Sequence, residues 1–296
     1  MDASTIQRRR WVILGVVVVG LLAIVIDNTV LNVALKTIAS PPDKGGIGAS
    51  QSSLEWAINS YTLVFAGLLF TFGVVGDRIG RKRVLMGGLI LFGLGSLFSA
   101  YSHSPDQLIA ARAVMGLGGA AVMPQTLSII ANVFEPRERA RAIGIWTSAV
   151  GIGVAIGPVL GGLLLTHFWW GSVFLINVPV TIAGTVAALV LIPESRNPAP
   201  GKIDYLGVLA SVVGLVLVVY GIVQGGDGES WGSLGVLGPA LGGLVVLGLF
   251  AWWETRIDHP SLDVRLFKDR SLSASVGSIA LLFFGMGGVY FFTAKN

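Results

Sequence analysis

The stretch WVILGVVVVGLLAIVIDNTVLNVALK, residues 11–36, is apolar over almost its whole length and carries one acidic side chain, Asp27. Its hydrophobic residues are continuous and do not alternate with polar ones, so the stretch predicts a helix that is apolar on all sides. At 1.5 Å of rise per residue, such a helix is about 39 Å long, which is enough to cross about 30 Å of hydrocarbon. We therefore expect a membrane span with one carboxyl group inside it.

The composition of the whole chain also indicates a membrane protein. Hydrophobic residues make up 53% of the 296 residues, charged residues make up 12%, and the mean hydropathy is +0.79, whereas a soluble domain carries about 25% charged residues. The chain has no cysteine, and its three histidines lie in short connections between apolar runs. Because no nucleophile, base and orienting group come together, we expect no enzyme, no metal site and no cofactor.

Nine apolar segments are long enough to cross a bilayer. They predict an all-α integral membrane protein, a helical bundle, because the strands of a membrane barrel would alternate in polarity. The nine predicted spans are residues 11–36, 55–76, 83–102, 107–132, 142–166, 172–192, 205–224, 234–253 and 272–293.

The basic residues between the spans predict the orientation of the chain. When the connections are assigned to alternate sides, sixteen of the 20 Lys and Arg residues fall on the side of the amino terminus, three on the other side and one inside a span. Cytoplasmic connections carry such an excess of cations. We therefore expect a multi-pass protein of the cytoplasmic membrane with a cytoplasmic amino terminus, whose partner is the lipid bilayer and not a nucleic acid.

Two ionisable residues lie well inside predicted spans, Asp27 in the first and Arg112 in the fourth. A charge at the centre of a spanning helix costs about 2.5–3.5 kcal/mol on insertion scales, so such residues usually face a bundle interior or a wet cavity. We expect Asp27 to bind a proton or a cation and Arg112 to tune its protonation. Asn28 and Asn32 extend a polar face toward the same cavity. The alternative is an internal ion pair that only holds two helices together.

Glycines recur at a regular spacing in the fifth span, in GIGVAIGPVLGG at residues 151–162. Gly153, Gly157 and Gly161 occupy every fourth position, so they predict a smooth stripe against which a neighbouring helix packs closely. Gly162 extends the cluster, and Pro158 removes one backbone hydrogen bond and favours a kink. Ordinary packing of membrane helices explains such residues as well as a functional motif does.

The connection GVVGDRIGRKRVL, residues 73–85, combines one acid with four cations. The cations are explained by a cytoplasmic position, but Asp77 is not. An acid near the start of the third helix is stabilised by the helix dipole, and the glycines allow helices to approach. We expect a gating turn, held by charge pairs, that opens and closes as the bundle rocks. Its residues are Gly73, Asp77, Arg78, Gly80, Arg81 and Lys82.

Together these stretches resemble the motifs of the major facilitator superfamily, in particular of its fourteen-helix drug:proton antiporter family. Residues 73–85 are similar to the cytoplasmic-loop motif, RAVMGLGGAA at residues 112–121 to the fourth-helix motif, and residues 151–162 to the antiporter motif. IDNTVLNVAL at residues 26–35 and FLINVPV at residues 174–180 resemble the first and sixth helices of the fourteen-helix branch. Among its subgroups, the exporters of quaternary ammonium compounds are the most similar.

The resemblance implies a function for the two charges inside the spans. Asp27 matches an aspartate of the central cavity, where a proton and a cationic drug compete, and Arg112 matches an arginine implicated in proton coupling. The implied activity is the proton-coupled efflux of lipophilic, cationic small molecules, as in multidrug resistance. The implied partners are protons and a small-molecule drug or metabolite.

The resemblance also implies an incomplete set of helices. Residues 1–192 match the six-helix amino-terminal transporter half, and residues 193–253 match a linker helix pair. Residues 254–296 match a cytoplasmic loop and the first helix of the carboxyl-terminal half. We therefore expect a transporter truncated after about nine of fourteen helices, which needs a second chain if the truncation is real.

Other functions stay open at this point. The chain is alternatively an exporter of an endogenous metabolite, an inactive transporter fragment, or a non-transporting membrane scaffold. Substrate profiling separates the metabolite exporter from a drug exporter. A sensor or scaffold predicts a soluble output domain, and the connections between the spans are short. The intact motifs count against a degenerate fragment.

Overall fold

The computed structural model describes residues 3–197, 204–226, 229–257 and 264–295, and in this part of the chain the elements are helices joined by short connections. Short 3₁₀ turns occur at Pro42–Lys44 and Val264–Lys268. The α-helices are α1 (Ala3–Ala39), α2 (Gln51–Ile79), α3 (Arg81–Ala100), α4 (Pro105–Val133), α5 (Pro136–His167), α6 (Ser172–Leu175), α7 (Asn177–Leu191), α8 (Tyr205–Gly226), α9 (Leu234–Glu254) and α10 (Arg270–Lys295).

Eight of the predicted spans are confirmed as helices that are long and apolar enough to cross a membrane. They are α1 to α5, the combined stretch Ser172–Leu191, α8 and α9. The ninth predicted span, residues 272–293, lies within α10, which is helical from Arg270 to Lys295. The predicted fold class, an all-α membrane bundle, is therefore confirmed.

The sixth span is broken into α6 and α7 next to Pro179. Proline has no backbone N–H, so Pro179 has no donor for the carbonyl of Leu175 four residues earlier, and the helical hydrogen bonding is interrupted there. The helix restarts at Asn177. Ile176, between α6 and α7, keeps helical backbone angles, so only the hydrogen bonding is interrupted there, and Asn177 lies in the middle of an otherwise apolar span.

Helix α4 lies at the centre of the first six spans, between α2 and α3. Its glycines permit this close packing. A Cβ atom at Gly116 would lie 2.5 Å from the carbonyl oxygen of Tyr61 in α2, and one at Gly118 would lie 2.6 Å from the backbone nitrogen of Phe92 in α3. On the other side of the bundle, α1 packs against α5 and α7.

Polar contacts define one end of the bundle, here named the amino end. Arg10 in α1 forms an ion pair of 2.8 Å with Glu138 at the start of α5. The backbone N–H of Asn197, after α7, donates to the carbonyl of Asp77 near the α2–α3 turn at 3.0 Å. The start of α1, the α2–α3 and α4–α5 turns and the end of α7 thus lie together. The α1–α2, α3–α4 and α5–α6 connections lie at the opposite end.

Helices α8 and α9 form a closely packed pair that contacts α2. Within the pair, a Cβ atom at Gly214 would lie 2.7 Å from Leu247. Toward α2, the side chain of Val212 occupies the space beside Gly67, and the rings of Trp56 and Tyr220 lie 6.1 Å apart. The pair therefore sits against the side of the six-span unit.

Candidate functional site

Asp27 and Arg112, the two charges that the sequence places inside spans, form an ion pair. The Arg112 Nη1 atom lies 2.5 Å from Oδ2 of Asp27, and each side chain is about 1% exposed. The pair joins α1 to α4, and its two residues lie 85 positions apart in the sequence. Buried charges are stable in a protein when they are paired and hydrogen-bonded, and here each charge neutralises the other.

Asn177 donates a hydrogen bond to the second oxygen of the Asp27 carboxylate. Its Nδ2 atom donates to Oδ1 of Asp27 at 2.9 Å and to Oγ of Ser96 in α3 at 3.3 Å. Arg112 of α4 and Asn177 of α7 therefore bind the carboxylate of α1, and Asn177 connects α3 to the same group through Ser96. Asp27, Arg112, Asn177 and Ser96 are hereafter called the buried polar cluster.

Arg112 has further partners that hold its guanidinium group in place. Its Nε atom donates to the carbonyl of Ala57 in α2 at 3.1 Å. Its Cζ atom lies 4.3 Å from the centre of the Tyr61 ring, a cation–π geometry. Because these contacts involve α2, the guanidinium group keeps favourable neighbours even when its ion pair with Asp27 is broken.

The surroundings of Asp27 differ from the wet cavity that the sequence led us to expect. Asp27 is 2% exposed, and both carboxylate oxygens are bonded within the bundle. The conformation described here therefore has the geometry of the alternative, an internal ion pair between helices. Access of a proton or a cation to Asp27 would require the helices around it to separate.

Asn28 and Asn32 do not join the buried polar cluster through the contacts observed. The Asn28 amide donates to the carbonyl of Ile24 at 2.9 Å, and the Asn32 amide donates to the carbonyl of Asn28 at 3.1 Å. Asn28 is half-buried and Asn32 is exposed. Successive residues of a helix are rotated by about 100°, so Asn28 faces a different direction from Asp27. A cavity-lining role for both asparagines stays a prediction.

The glycine stripe of α5 packs against α1. A Cβ atom at Gly153 would lie 2.9 Å from Val25, one at Gly157 would collide with the hydroxyl of Thr29, and one at Gly161 would lie 3.3 Å from Val33. The sequence predicted this stripe, but not that its neighbour would be the helix that carries Asp27. Pro158 and Gly162 lie off the stripe, and helix α5 continues through Pro158.

The predicted gating turn contains an ion pair at the amino end. Arg81 donates from Nε and Nη2 to Oδ1 of Asp77, at 3.0 and 2.8 Å, and from Nη1 to the carbonyl of Ser128 in α4 at 3.4 Å. Gly73 lies near Pro124 of α4. Arg78 is exposed at the end of α2.

The segment after α7 holds the same turn from the other side. Glu194 accepts a hydrogen bond from the backbone N–H of Lys82 at 3.2 Å, and the backbone N–H of Arg81 donates to the carbonyl of Ser195 at 2.9 Å. Gly80 has a φ of +120°, a conformation that favours glycine. A Cβ atom there would also lie 2.5 Å from the Glu194 carboxylate. The turn is therefore bound to the start of the predicted linker.

Sequence reasoning missed several residues of these two sites. Asn177 carried the same signal as Asp27, a polar side chain inside an apolar span. Ser96 and Tyr61 carried no signal, because serine and tyrosine are common in membrane helices. Glu194 carried no signal either, because its partner, the backbone N–H of Lys82, is distant in the sequence.

The sequence of this chain matches that of a known protein family over most of its length. A family model described as Major Facilitator Superfamily matches residues 17–294. The multidrug efflux pump LfrA of Mycolicibacterium smegmatis is 37% identical over 290 residues, which are 97% of this chain and 56% of LfrA. The methyl viologen resistance protein SmvA of Salmonella typhimurium is 39% identical over 272 residues, which are 90% of this chain and 53% of SmvA. The chain thus spans about half the length of these curated relatives.

The helical arrangement also matches a solved transporter. A crystal structure of the peptide transporter POT in complex with sulfate superimposes with a TM-score of 0.59 and 16% identity, over 87% of this chain and 57% of POT. At this identity the likeness concerns the fold alone. The fold agrees with the sequence match over residues 17–294, and on that match the chain belongs to the Major Facilitator Superfamily.

Proposed function

We propose that this chain is part of a proton-coupled exporter of lipophilic, cationic small molecules, of the fourteen-helix drug:proton antiporter type. The observation that carries the proposal is the buried ion pair between Asp27 and Arg112, which joins α1 to α4. A charge pair inside a span is expensive to maintain and is functional by default. The names of LfrA and SmvA, an efflux pump and a resistance protein, support the same class of activity.

The coupling step is the exchange of partners at the Asp27 carboxylate. A proton on Asp27 neutralises it, so the ion pair with Arg112 is lost and the guanidinium group keeps only its contacts to α2. Breaking a buried pair by removing one charge costs about 3–5 kcal/mol. Protonation therefore favours a state in which α1 and α4 have moved apart. A cationic drug neutralises the same carboxylate, so drug and proton exclude each other.

Alternating access supplies the movement. Residues 1–192 act as one transporter half, residues 193–253 as a linker helix pair, and residues 254–296 as the beginning of a second half, which the rest of the protein or a second chain completes. The halves rock about a site near the bilayer midplane. The gating turn, with Asp77, Arg81 and Glu194, lies at the amino end, which is cytoplasmic in this proposal, and the glycine stripe of α5 supports α1 during the movement.

Transport in everted membrane vesicles tests the coupling role of Asp27. The chain, together with the segment or second chain that completes the second half, is produced in bacteria that lack their own multidrug exporters, and uptake of ethidium into acid-interior vesicles is followed by fluorescence. We expect uptake by the unmodified chain and at least tenfold less by Asp27→Asn. The control is Asp106→Asn, because Asp106 is an exposed acid at the start of α4. The control is expected to transport ethidium normally.

The outcomes separate the alternatives. Equal uptake by Asp27→Asn and the unmodified chain rejects the coupling role and leaves the ion pair as a structural link. No ethidium uptake, together with proton release on addition of a metabolite, supports an exporter of an endogenous metabolite. No transport of any compound supports the inactive fragment or the non-transporting scaffold.

A further inference from the structure

An apolar groove of about 310 Å³ lies between α3 and α7, on the outer side of the helix contact that holds the buried polar cluster. Its rims are formed by side chains that are about half exposed, among them Ile90 and Leu94 of α3 and Ile182 and Val186 of α7. Both helices belong to confirmed spans. The groove therefore opens toward the hydrocarbon of the bilayer. It is lined by Leu89, Ile90, Gly93, Leu94, Leu97, Val178, Thr181, Ile182, Thr185 and Val186.

The groove exists because the two helices touch through their smallest side chains. A Cβ atom at Gly93 would lie 2.5 Å from the Thr181 hydroxyl oxygen, so α3 and α7 approach closely at this point. The larger side chains on either side of the contact point outward and leave a channel between them. The Gly93–Thr181 contact is the floor of the groove.

The groove offers no free hydrogen-bonding groups to an occupant. The hydroxyl of Thr181 donates to the carbonyl of Val178 at 2.9 Å, and that of Thr185 donates to the carbonyl of Thr181 at 2.7 Å. The remaining lining residues are aliphatic, apart from Gly93. A purely apolar occupant therefore has the matching chemistry, and a polar or charged group would find no partner.

The lining residues on α3, from Leu89 to Leu97, extend over about 12 Å at 1.5 Å per residue, and together with the aromatic rings beyond them they span about one leaflet of the bilayer. Tyr101, at the end of α3, lies at the opposite end of the bundle and contacts Trp169, with 6.2 Å between ring centres. Tyrosine and tryptophan are enriched where hydrocarbon meets the lipid head groups. From Tyr101 to Ile90 the helix rises about 16 Å at 1.5 Å per residue, and one leaflet contributes about 15 Å of hydrocarbon.

We propose that the groove binds one acyl chain of a phospholipid from the leaflet at the opposite end of the bundle. The chain enters between the two aromatic rings and extends along the groove to the level of Ile90. An empty groove would deprive its lining atoms of dispersion contacts. The bound lipid thus stabilises the contact between α3 and α7.

The floor of the groove is continuous with the buried polar cluster. Ser96 and Asn177, which are hydrogen-bonded to each other, directly precede the lining residues Leu97 and Val178. The acyl chain therefore supports, from the lipid side, the helix contact that aligns Asn177 with Asp27.

Photolabelling in vesicles tests the proposal with a matched pair of variants. The protein is reconstituted in phosphatidylcholine vesicles that contain a phosphatidylcholine with a diazirine on one acyl chain, and the labelled peptides are identified by mass spectrometry. Val186→Trp fills the groove. Val190→Trp makes the same change one turn along α7, at a residue that is equally exposed, at 58% against 57%, and does not line the groove.

We expect peptides of α3 and α7 to carry at least three times the label found on the exposed face of α9. Val186→Trp should reduce this labelling at least threefold and Val190→Trp should leave it unchanged, with equal thermal unfolding midpoints for both. Equal labelling of the two variants, or labelling spread evenly over the exposed helices, overturns the proposal. Excess ethidium should not displace the label. Displacement would assign the groove to lipophilic cations and overturn the acyl-chain assignment.

Discussion

Two ion pairs of this protein each join an aspartate to an arginine but differ in how deeply they are buried. Asp27 and Arg112 are each about 1% exposed, whereas Asp77 and Arg81 are 30% and 19% exposed. The first pair joins helices distant in sequence, and the second joins residues four positions apart. Because the charges are the same in both pairs, we expect any difference in their energies to come from their surroundings.

Both pairs are supported by neighbours, but the support differs. The buried pair is supported by the side chains of Asn177 and Tyr61 and by the backbone carbonyl of Ala57. The half-buried turn is supported by the segment after α7, where the Ser195 carbonyl and the Glu194 carboxylate accept hydrogen bonds from its backbone N–H groups. We therefore expect substitutions in the buried pair to disturb the packing of four helices, and substitutions in the turn to act locally.

The largest expected effect is that of Arg112→Met. It leaves Asp27 buried without a charged partner, so the free energy of unfolding should fall by about 3–5 kcal/mol. Denaturant titration in micelles, followed by circular dichroism, measures the change. The double variant Asp27→Asn with Arg112→Met leaves no unpaired charge and should recover at least half of the loss. Additive losses in the double variant would show that the pair is not coupled.

Removal of the amide at position 177 should have a smaller effect. Asn177→Leu removes a hydrogen bond to the carboxylate of Asp27 and one to Ser96, and hydrogen bonds to charged groups contribute about 1.5–3 kcal/mol. Thr185→Val is the control on the same helix, since its hydroxyl donates to the carbonyl of Thr181 within α7. The same titration should give a clearly larger loss for Asn177→Leu, and equal losses would contradict a role in positioning Asp27.

Substitutions at the contact between α1 and α5 test whether close packing, as well as the ion pair, keeps the helix that carries Asp27 in position. Gly157→Val places a side chain against Thr29 and should reduce stability by about 1–3 kcal/mol. Gly162 has no neighbouring atom within 4 Å of a Cβ position, so Gly162→Ala should be neutral or stabilising by up to about 1 kcal/mol. Thermal unfolding in micelles compares the two. Equal destabilisation would argue against the stripe as the contact surface.

The smallest expected effect is that of Arg81→Gln, because its ion pair with Asp77 is half-buried and still reached by water, and solvent-accessible ion pairs contribute about 0–1 kcal/mol. The salt dependence of these losses in stability should also distinguish the two ion pairs. At 1 M salt the Debye length is about 3 Å, so the loss from Arg81→Gln should shrink while the loss from Arg112→Met persists. Denaturant titrations at low and high salt measure both. A salt-sensitive loss in the Arg112 variant would indicate that water reaches the buried pair.

The spans of this protein could be predicted because each one is a local property. A segment of about 20 apolar residues forms a helix in hydrocarbon irrespective of its neighbours, because each backbone N–H and C=O group needs a hydrogen-bond partner within the segment. The break before Asn177 was not predicted, although Pro179 could have indicated it. The glycine stripe of α5 was predicted as a surface, but its neighbour was not.

The candidate site could be predicted in part, and the reason is again energetic. Asp27 and Arg112 were recognisable because an ionisable group inside a span is costly and rare. The water-filled cavity around Asp27 was expected from that cost, whereas the helices instead close around the pair and satisfy both oxygens of the carboxylate. Asn28 and Asn32 lie on the same helix as Asp27, and their cavity-lining role stays a prediction.

The amino-acid sequence alone was sufficient for the membrane class, the positions of eight spans and the two charges that need partners, because these follow from the transfer of single segments into hydrocarbon. The identity of the partners required the folded bundle. Asn177 and Ser96 at Asp27, Glu194 at the gating turn, and the groove between α3 and α7 each arise where residues distant in the chain meet. Local hydrophobicity carries no information about which helices become neighbours, since all of them are equally apolar toward lipid.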